Sequence, residues 1–195
     1  PHSQIERSPR GGDNLFLTSI LALRADTGRM AWYVQQTPGD AWDYTATAPM
    51  ILTDLAIDGK TRKVLMQAPK NGLFYVIDRM TGEILSAKPY VPVNWLESLD
   101  LKTGKATINR RLADYSGSPR LVFPSGQGGH NWNPMAWDAR RGTVYIPAVE
   151  VGEYLYAPPG PMTYRARARN MGNASVFSGV PDAVVAQLPA PLRDA

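Results

Sequence analysis

Two short segments of this chain hold an acid and a base that could act on each other or on a third group. Gly39-Asp40-Ala41-Trp42-Asp43-Tyr44-Thr45 carries a carboxylate beside an indole, and Ala68-Pro69-Lys70-Asn71-Gly72 offers an ammonium. Asp43 follows the turn formers Thr37-Pro38-Gly39-Asp40. A carboxylate there can cap a turn, sit as a surface charge, or serve as a general base and metal ligand. Lys70 lies in a sequence whose Asn-Gly pair favours a tight hairpin, where a lysine is usually just solvated. A third segment runs Gly126-Gln127-Gly128-Gly129-His130-Asn131-Trp132-Asn133-Pro134. Its glycines allow close backbone approach to a planar anionic ligand, Asn131 is both donor and acceptor, and Trp132 offers a flat apolar face. It lacks the Lys-Ser/Thr ending of a phosphate loop. His130 could ligate a metal, but the only other histidine is His2, so no His cluster for zinc exists.

These segments must be held by short strands. Ile20 to Trp32, Phe74 to Leu85 and, in degraded form, Met135 to Ile146 each read as strand, Asp-containing turn closed by Gly, strand. In such a turn the aspartate (Asp26, Asp78, Asp138) can bond backbone amides and the glycine can take a positive φ. The copies recur at steps of roughly 50–60 residues, which points to propeller blades; the alternative is a set of unrelated hairpins. Ala48 to Leu55 and Arg62 to Gln67, around Asp58-Gly59-Lys60, predict a further hairpin. Leu121 to Phe123 and Val144 to Val149 are additional strand candidates. Leu96 to Pro119 reads as a long excursion between strands. Beyond Tyr154, Ala157-Pro158-Pro159-Gly160-Pro161 breaks regular structure, and residues 151–195 read as an irregular loop or the start of another blade.

Composition agrees with an all-β chain of many turns: 17 Gly and 17 Pro in 195 residues, with 44% hydrophobic residues in short runs. No run approaches the ~20 apolar residues of a membrane span. The start, Pro1-His2-Ser3-Gln4, is polar and unlike a signal peptide. The net charge of +4 gathers partly in Arg110-Arg111 and in Arg165, Arg167 and Arg169. No aromatic stacking pattern accompanies these, so solvated loops are expected and not a nucleic-acid surface. With Cys 0, disulfides and thiolate metal sites within the chain are excluded.

Taken in order, Gly12-Asp13-Asn14-Leu15-Phe16, Ala25-Asp26-Thr27-Gly28, Thr37 to Ala46, Ala68 to Gly72, Pro92-Val93-Asn94-Trp95 and His130 to Pro134 resemble the quinoprotein alcohol dehydrogenases. These enzymes oxidise alcohols with pyrroloquinoline quinone (PQQ) and a metal ion, and the ethanol-oxidising and quinohaemoprotein branches are the nearest in pattern. The similarity runs from about Gly11 to Pro147 and fades beyond Glu150. It implies an eight-bladed propeller, of which this chain would supply about three blades of one PQQ-binding domain. It also implies that Asp43 is the catalytic base and a metal ligand and that Lys70 hydrogen-bonds the quinone oxygens. Asn131 and Trp132 would contact the cofactor, and Trp42 would shape the substrate pocket. Lanthanide-dependent members carry an extra aspartate two residues after the base. Here that position is Thr45, so calcium is expected.

The same resemblance implies oxidation of primary alcohols to aldehydes, with secondary alcohols to ketones as the wider alternative, in the bacterial periplasm, with cytochrome c or a similar electron acceptor. Further implied features would lie outside this chain: a Glu and an Asn metal ligand, an adjacent-cysteine disulfide, a stacking tryptophan, and any haem c domain. The chain therefore reads as an internal fragment, inactive and poorly folded when isolated. Two alternatives share the fold: a non-catalytic PQQ-repeat scaffold, which has no need for the Trp42-Asp43 and Lys70 pair, and a sugar-oxidising quinoprotein.

Overall fold

The computed structural model describes residues 12–194 other than 159, 161, 162, 169, 180 and 189. Pro1, His2, Ser3, Gln4, Gly11, Pro159, Pro161 and Arg169, used above, lie outside the described residues.

The best-formed unit is a four-stranded antiparallel sheet in the order β3-β4-β5-β6: β3 Met50–Ile57, β4 Lys60–Gln67, β5 Leu73–Asp78 and β6 Ile84–Pro89. The β3–β4 register runs from Met50↔Gln67 to Ile57↔Lys60, leaving Asp58 and Gly59 as a two-residue turn. Their φ values of 50° and 73° are the left-handed pair that a primed hairpin turn requires. Side chains on β3 alternate between exposed and half-buried, whereas β5 is buried or half-buried throughout, as the inner strand of a blade should be. This is one whole propeller blade.

Before it comes the hairpin β1 Ser19–Leu23 and β2 Met30–Gln35. It docks on the blade through Trp32, whose Nε1 donates to the Arg79 carbonyl at 3.2 Å. Gly82 receives the indole: a Cβ there would lie 2.9 Å from the ring, and its φ is +80°. After the blade come the pair β7 Leu96–Leu99 and β8 Ala106–Ile108, then the short helix α1 Arg110–Ala113. β9 Arg120–Val122 and the pair β10 Ala136–Asp138 with β11 Thr143–Tyr145 follow. β12 Glu153–Tyr156 lies between β9 and β13 Ala174–Phe177, and two short helices end the chain, α2 Asp182–Val185 and α3 Ala190–Arg193.

Two readings of the sequence change in detail and a third gains detail. The Leu96–Pro119 excursion contains a hairpin whose turn, Asp100-Leu101-Lys102-Thr103-Gly104, is a further copy of the repeat. Asp100 Oδ1 accepts from Lys102 N at 2.8 Å and from Thr103 N at 3.3 Å, and these bonds, with that of the Thr103 hydroxyl, hold the carboxyl below its usual range. The turn escaped the pattern because its strands are short and partly polar. Conversely, Asp26 does not cap its turn. The turn closes from Gly28 N to Arg24 O at 2.8 Å, so Arg24 takes the place Asp78 holds in the next copy, and Asp26 faces Arg24 Nε at 3.4 Å in solvent. Finally, residues 151–195 carry β12 and β13. β12 is specified by β9, which lies far from it in sequence, so its own residues signal it weakly.

The core gathers Trp95, Tyr44, Tyr75, Tyr115, Leu73, Ile77 and Val122 between the four-stranded sheet, the loop after β2 and the β9–β12 pair. Large apolar side chains elsewhere stay exposed, among them Leu21, Leu23, Met30 and Tyr33 on the first hairpin and Met50 and Leu52 on β3. Such faces fit an incomplete propeller, whose blades bury one another's surfaces.

Candidate active site

The loop joining β2 to β3 is held by hydrogen bonds on both sides of Asp43. The Thr37 carbonyl accepts from Thr18 Oγ1 at 2.8 Å, and the Gln36 carbonyl accepts from Asn71 Nδ2 and Tyr75 Oη, both at 3.0 Å. The turn cap foreseen as one role for Asp43 falls instead to Asp40, whose Oδ1 accepts from Trp42 N at 2.9 Å. Tyr115 Oη donates to the Ala41 carbonyl at 2.6 Å, and Tyr44 Oη to the Pro124 carbonyl at 2.5 Å. Asp43 itself sits at φ +69°. Aspartate tolerates this region better than most residues, and residues held there cluster at functional sites. Its side chain remains 40% exposed while its neighbours are buried.

Trp42, expected at the substrate pocket, is 3% exposed. Its ring stacks on Tyr44 at 5.8 Å, tilts against Trp95 at 5.7 Å, and donates from Nε1 to the Ala113 carbonyl at 3.0 Å. It opens no face to a substrate here. It acts as a core residue that fixes the backbone on which Asp43 stands.

Lys70 is not the solvated lysine of an ordinary hairpin: it is 9% exposed. The turn between β4 and β5 is wired inward by Asn71. Besides the Gln36 carbonyl, Asn71 Nδ2 reaches Tyr75 Oη at 3.1 Å, its Oδ1 accepts from Leu73 N at 3.0 Å, and its carbonyl accepts from Trp95 Nε1 at 2.8 Å. Lys70 Nζ is thereby brought to the Asp43 carbonyl at 3.1 Å, to Asp43 Oδ2 at 3.4 Å and to the Gly126 carbonyl at 2.9 Å. An ammonium has three donors, and each finds an oxygen.

The glycines of the third segment fit protein against protein, not a ligand. A Cβ on Gly128 would lie 2.6 Å from Lys70 Cβ, and one on Gly129 would lie 2.4 Å from Val91. Gly129 N donates to the Lys70 carbonyl at 3.1 Å. His130 is buried, with Nδ1 2.6 Å from the Ala68 carbonyl and Nε2 2.7 Å from the Asn133 carbonyl, so both nitrogens serve the loop and neither is open to a metal. Asn131 donates from Nδ2 to the Gln127 carbonyl at 3.1 Å, leaving its Oδ1 to other partners. The Trp132 indole is 74% exposed. The structure thus joins Asp43 and Lys70 directly and places Asn131 on the loop that walls Lys70. A residue overlooked in the sequence is Glu153, buried on β12, whose Oε2 accepts from Gly126 N at 2.7 Å. Period-two alternation puts it on one face with buried Leu155, and that signal could have exposed it.

Buried charge surrounds the pair. Burial pushes the Asp40 carboxyl up to about 6, against the opposing effect of its backbone hydrogen bonds. Burial first, then the charges of Asp40 and Glu153, raises the Tyr44 phenol. Among the described residues no group of three or more His, Asp or Glu side chains could hold a metal. Asp43 could give one ligand to a site completed by other residues. A cleft of about 820 Å³ lies elsewhere, between the first hairpin and the β5–β6 and β7–β8 turns, and none of its lining residues belongs to this site.

The chain has clear relatives. The family model described as "Glucose/ethanol/alcohol dehydrogenase, beta-propeller domain" matches residues 4–95. Quinohemoprotein alcohol dehydrogenase ADH-IIG of Pseudomonas putida is 55% identical over 158 residues, which cover 80% of this chain and 22% of that protein. Quinohemoprotein alcohol dehydrogenase ADH IIB of the same organism is 48% identical over 186 residues, covering 95% of this chain and 27% of the relative. Among solved structures, the quinohemoprotein alcohol dehydrogenase of Comamonas testosteroni superposes with a TM-score of 0.78 at 43% identity, over 90% of this chain and 27% of that one. A europium-containing methanol dehydrogenase gives 0.78 at 32% identity, over 86% and 29%. The chain spans about a quarter of the length of these relatives, and with this sequence similarity and this partial propeller it belongs to the PQQ-dependent alcohol dehydrogenase family.

Proposed function

We propose that this chain is the part of a PQQ-dependent alcohol dehydrogenase propeller that carries the catalytic base, and that the whole protein oxidises primary and secondary alcohols. The observation that carries the reading is the Asp43–Lys70 pair, with Oδ2 to Nζ at 3.4 Å, at the buried end of a blade. A scaffold propeller has no use for a half-exposed carboxylate fixed beside a buried ammonium.

The residues present fit such a cofactor. Lys70 offers a positive charge to oxygens of a flat anion, Trp132 a flat open face, and Asn131 a free acceptor. PQQ, when bound, supplies the two-electron oxidant, and the protein supplies orientation and electrostatics. Asp43 takes the proton of the alcohol hydroxyl, a role that contributes ~10²–10⁴-fold for a positioned base. Lys70 would stabilise negative charge on the quinone oxygens, with its longest contact, the 3.4 Å one to Asp43 Oδ2, giving way to them. Asp43 is also one ligand of a metal ion. Thr45, which pairs with the Thr47 hydroxyl at 3.3 Å, adds no charge to the site, and this favours divalent calcium over a trivalent ion. The names of relatives, such as 1-butanol dehydrogenase (cytochrome c) of Thauera butanivorans at 46% identity, support a cytochrome c acceptor. We place the protein in the periplasm, with any haem c domain outside this chain.

The test is alcohol-dependent reduction of an artificial electron acceptor by the full-length protein loaded with PQQ and calcium. Wild type should turn over, and Asp43→Asn should lose ~10²-fold or more. Undiminished turnover by the variant would remove Asp43 from the base role.

A further inference from the structure

We infer that Glu153 is a positioning residue for Lys70, acting through Gly126. Gly126 sits between two walls: a Cβ built on it would lie 3.1 Å from Glu153 Oε2 and 3.1 Å from the Trp42 carbonyl. From one side Glu153 Oε2 accepts from its N–H at 2.7 Å; from the other its carbonyl accepts from Lys70 Nζ at 2.9 Å. A glycine backbone is conformationally permissive, so its direction depends on such bonds, beside those that hold the flanking Ser125 N to the Val151 carbonyl and Gly128 N to the Ser125 carbonyl, both at 2.8 Å. The bond from Glu153 is charge-assisted and held where water is scarce, since the residue is 8% exposed. Glu153 is itself fixed, on the middle strand of its sheet, paired with Val122 on β9 and Phe177 on β13. A line of polar contacts therefore runs from β12 through Gly126 and Lys70 to Asp43. Through it, the β13-β12-β9 sheet sets the direction in which the ammonium points.

The geometric part of this inference stands alone; its effect on PQQ rests on the function proposed above. The test takes the full-length protein as Glu153→Ala and Glu153→Gln, with cofactor-free crystal structures and a PQQ titration of each. In the alanine variant the Gly126 carbonyl should leave hydrogen-bond range of Lys70 Nζ and the PQQ Kd should rise about 10-fold, the effect of one lost bond to a charged group. Glutamine keeps an acceptor for Gly126 N–H and should hold both the contact and, within about two-fold, the affinity. If the alanine variant does not fold, Glu153→Asp, too short to reach Gly126, asks the same question. A Gly126 carbonyl still on Lys70 Nζ in the variants that remove the bond would overturn the inference, as would equal loss of PQQ affinity in glutamine and alanine. If wild type binds no PQQ, the proposed function fails, and the crystal structures still decide the role of Glu153.

Discussion

The two ends of the β3–β6 sheet are built on opposite principles. At one end, Asp58-Gly59 joins β3 to β4 and Asp78 to Gly82 joins β5 to β6. The first turn is the bare two-residue loop of its hairpin; the second closes on itself, Met80 N bonding Asp78 Oδ1 at 2.8 Å and Gly82 N bonding Asp78 O at 2.8 Å, and is also met from outside by Arg62 Nε on Asp78 Oδ2 and by Trp32. At the other end, the connection carrying Lys70 is buried, and its partners come from residues 36, 37, 43, 90, 95, 126, 129 and 130. A self-closing turn can be changed at local cost. A turn wired to other segments holds a charged group still, and there a change spreads to every segment it joins. The chemistry sits at the wired end.

Substitutions at the two ends should separate accordingly. The largest effect after that of Asp43 belongs to Lys70→Met in the full-length enzyme: kcat should fall by ~10²–10³, as when one preorganised donor is removed. A variant within two-fold of wild type in steady-state turnover would remove Lys70 from the site. Next comes Asn71→Ala, which strands the buried Leu73 N–H and takes from the Gln36 carbonyl one of its two donors, the other being Tyr75 Oη. Unfolding should become easier by about 3 kcal/mol in denaturant titrations, and a loss below about 1 kcal/mol would show that the turn is not held by Asn71.

Asp40 tests the electrostatics beneath the loop. Its carboxyl rises from 3.8 in the unfolded chain to about 6 in the fold. Below both values it is neutral in both states. As the pH climbs through this window the folded state retains a proton that the unfolded state has released, so Asp40 costs stability progressively and the full cost stands above the folded value. Relative to wild type, Asp40→Asn should gain on the order of 3 kcal/mol between pH 4 and pH 7, measured without cofactor or metal. A pH-independent difference would contradict this. The smallest effect is expected at the self-closing end. Gly59→Ala meets no atom within 4 Å but must hold φ +73°. It should cost about 1 kcal/mol and leave turnover unchanged, and a turnover change there would erase the contrast between the ends.

That contrast also explains what could be read from the sequence. The Asp58-Gly59 turn and the Asp78 to Gly82 repeat are legible because the bonds that close each turn join neighbouring residues, whatever else docks on them. Asp43 and Lys70 were singled out as types, but nothing near either residue tells that Lys70 is buried. That depends on Asn71 reaching the Gln36 carbonyl and on Gly128 lying against the lysine stem. Trp42 is expected at the substrate pocket only through the resemblance, and His130 is a metal candidate only as a residue type. Only the fold shows that one is core and the other a loop fastener. Glu153 carried a signal, a carboxylate in phase with a buried leucine, but its strand is recognised only once β9 is beside it.

The central claim is that the Asp43–Lys70 pair is where cofactor and metal meet. A crystal structure of the full-length protein with PQQ and calcium, phased to reveal the calcium anomalously, tests it most directly. The account predicts a calcium peak about 2.3–2.6 Å from an Asp43 carboxylate oxygen, with quinone oxygens in hydrogen-bond range of Lys70 Nζ. Cofactor density elsewhere, with Asp43 Oδ2 and Lys70 Nζ still paired and no metal beside them, would contradict it.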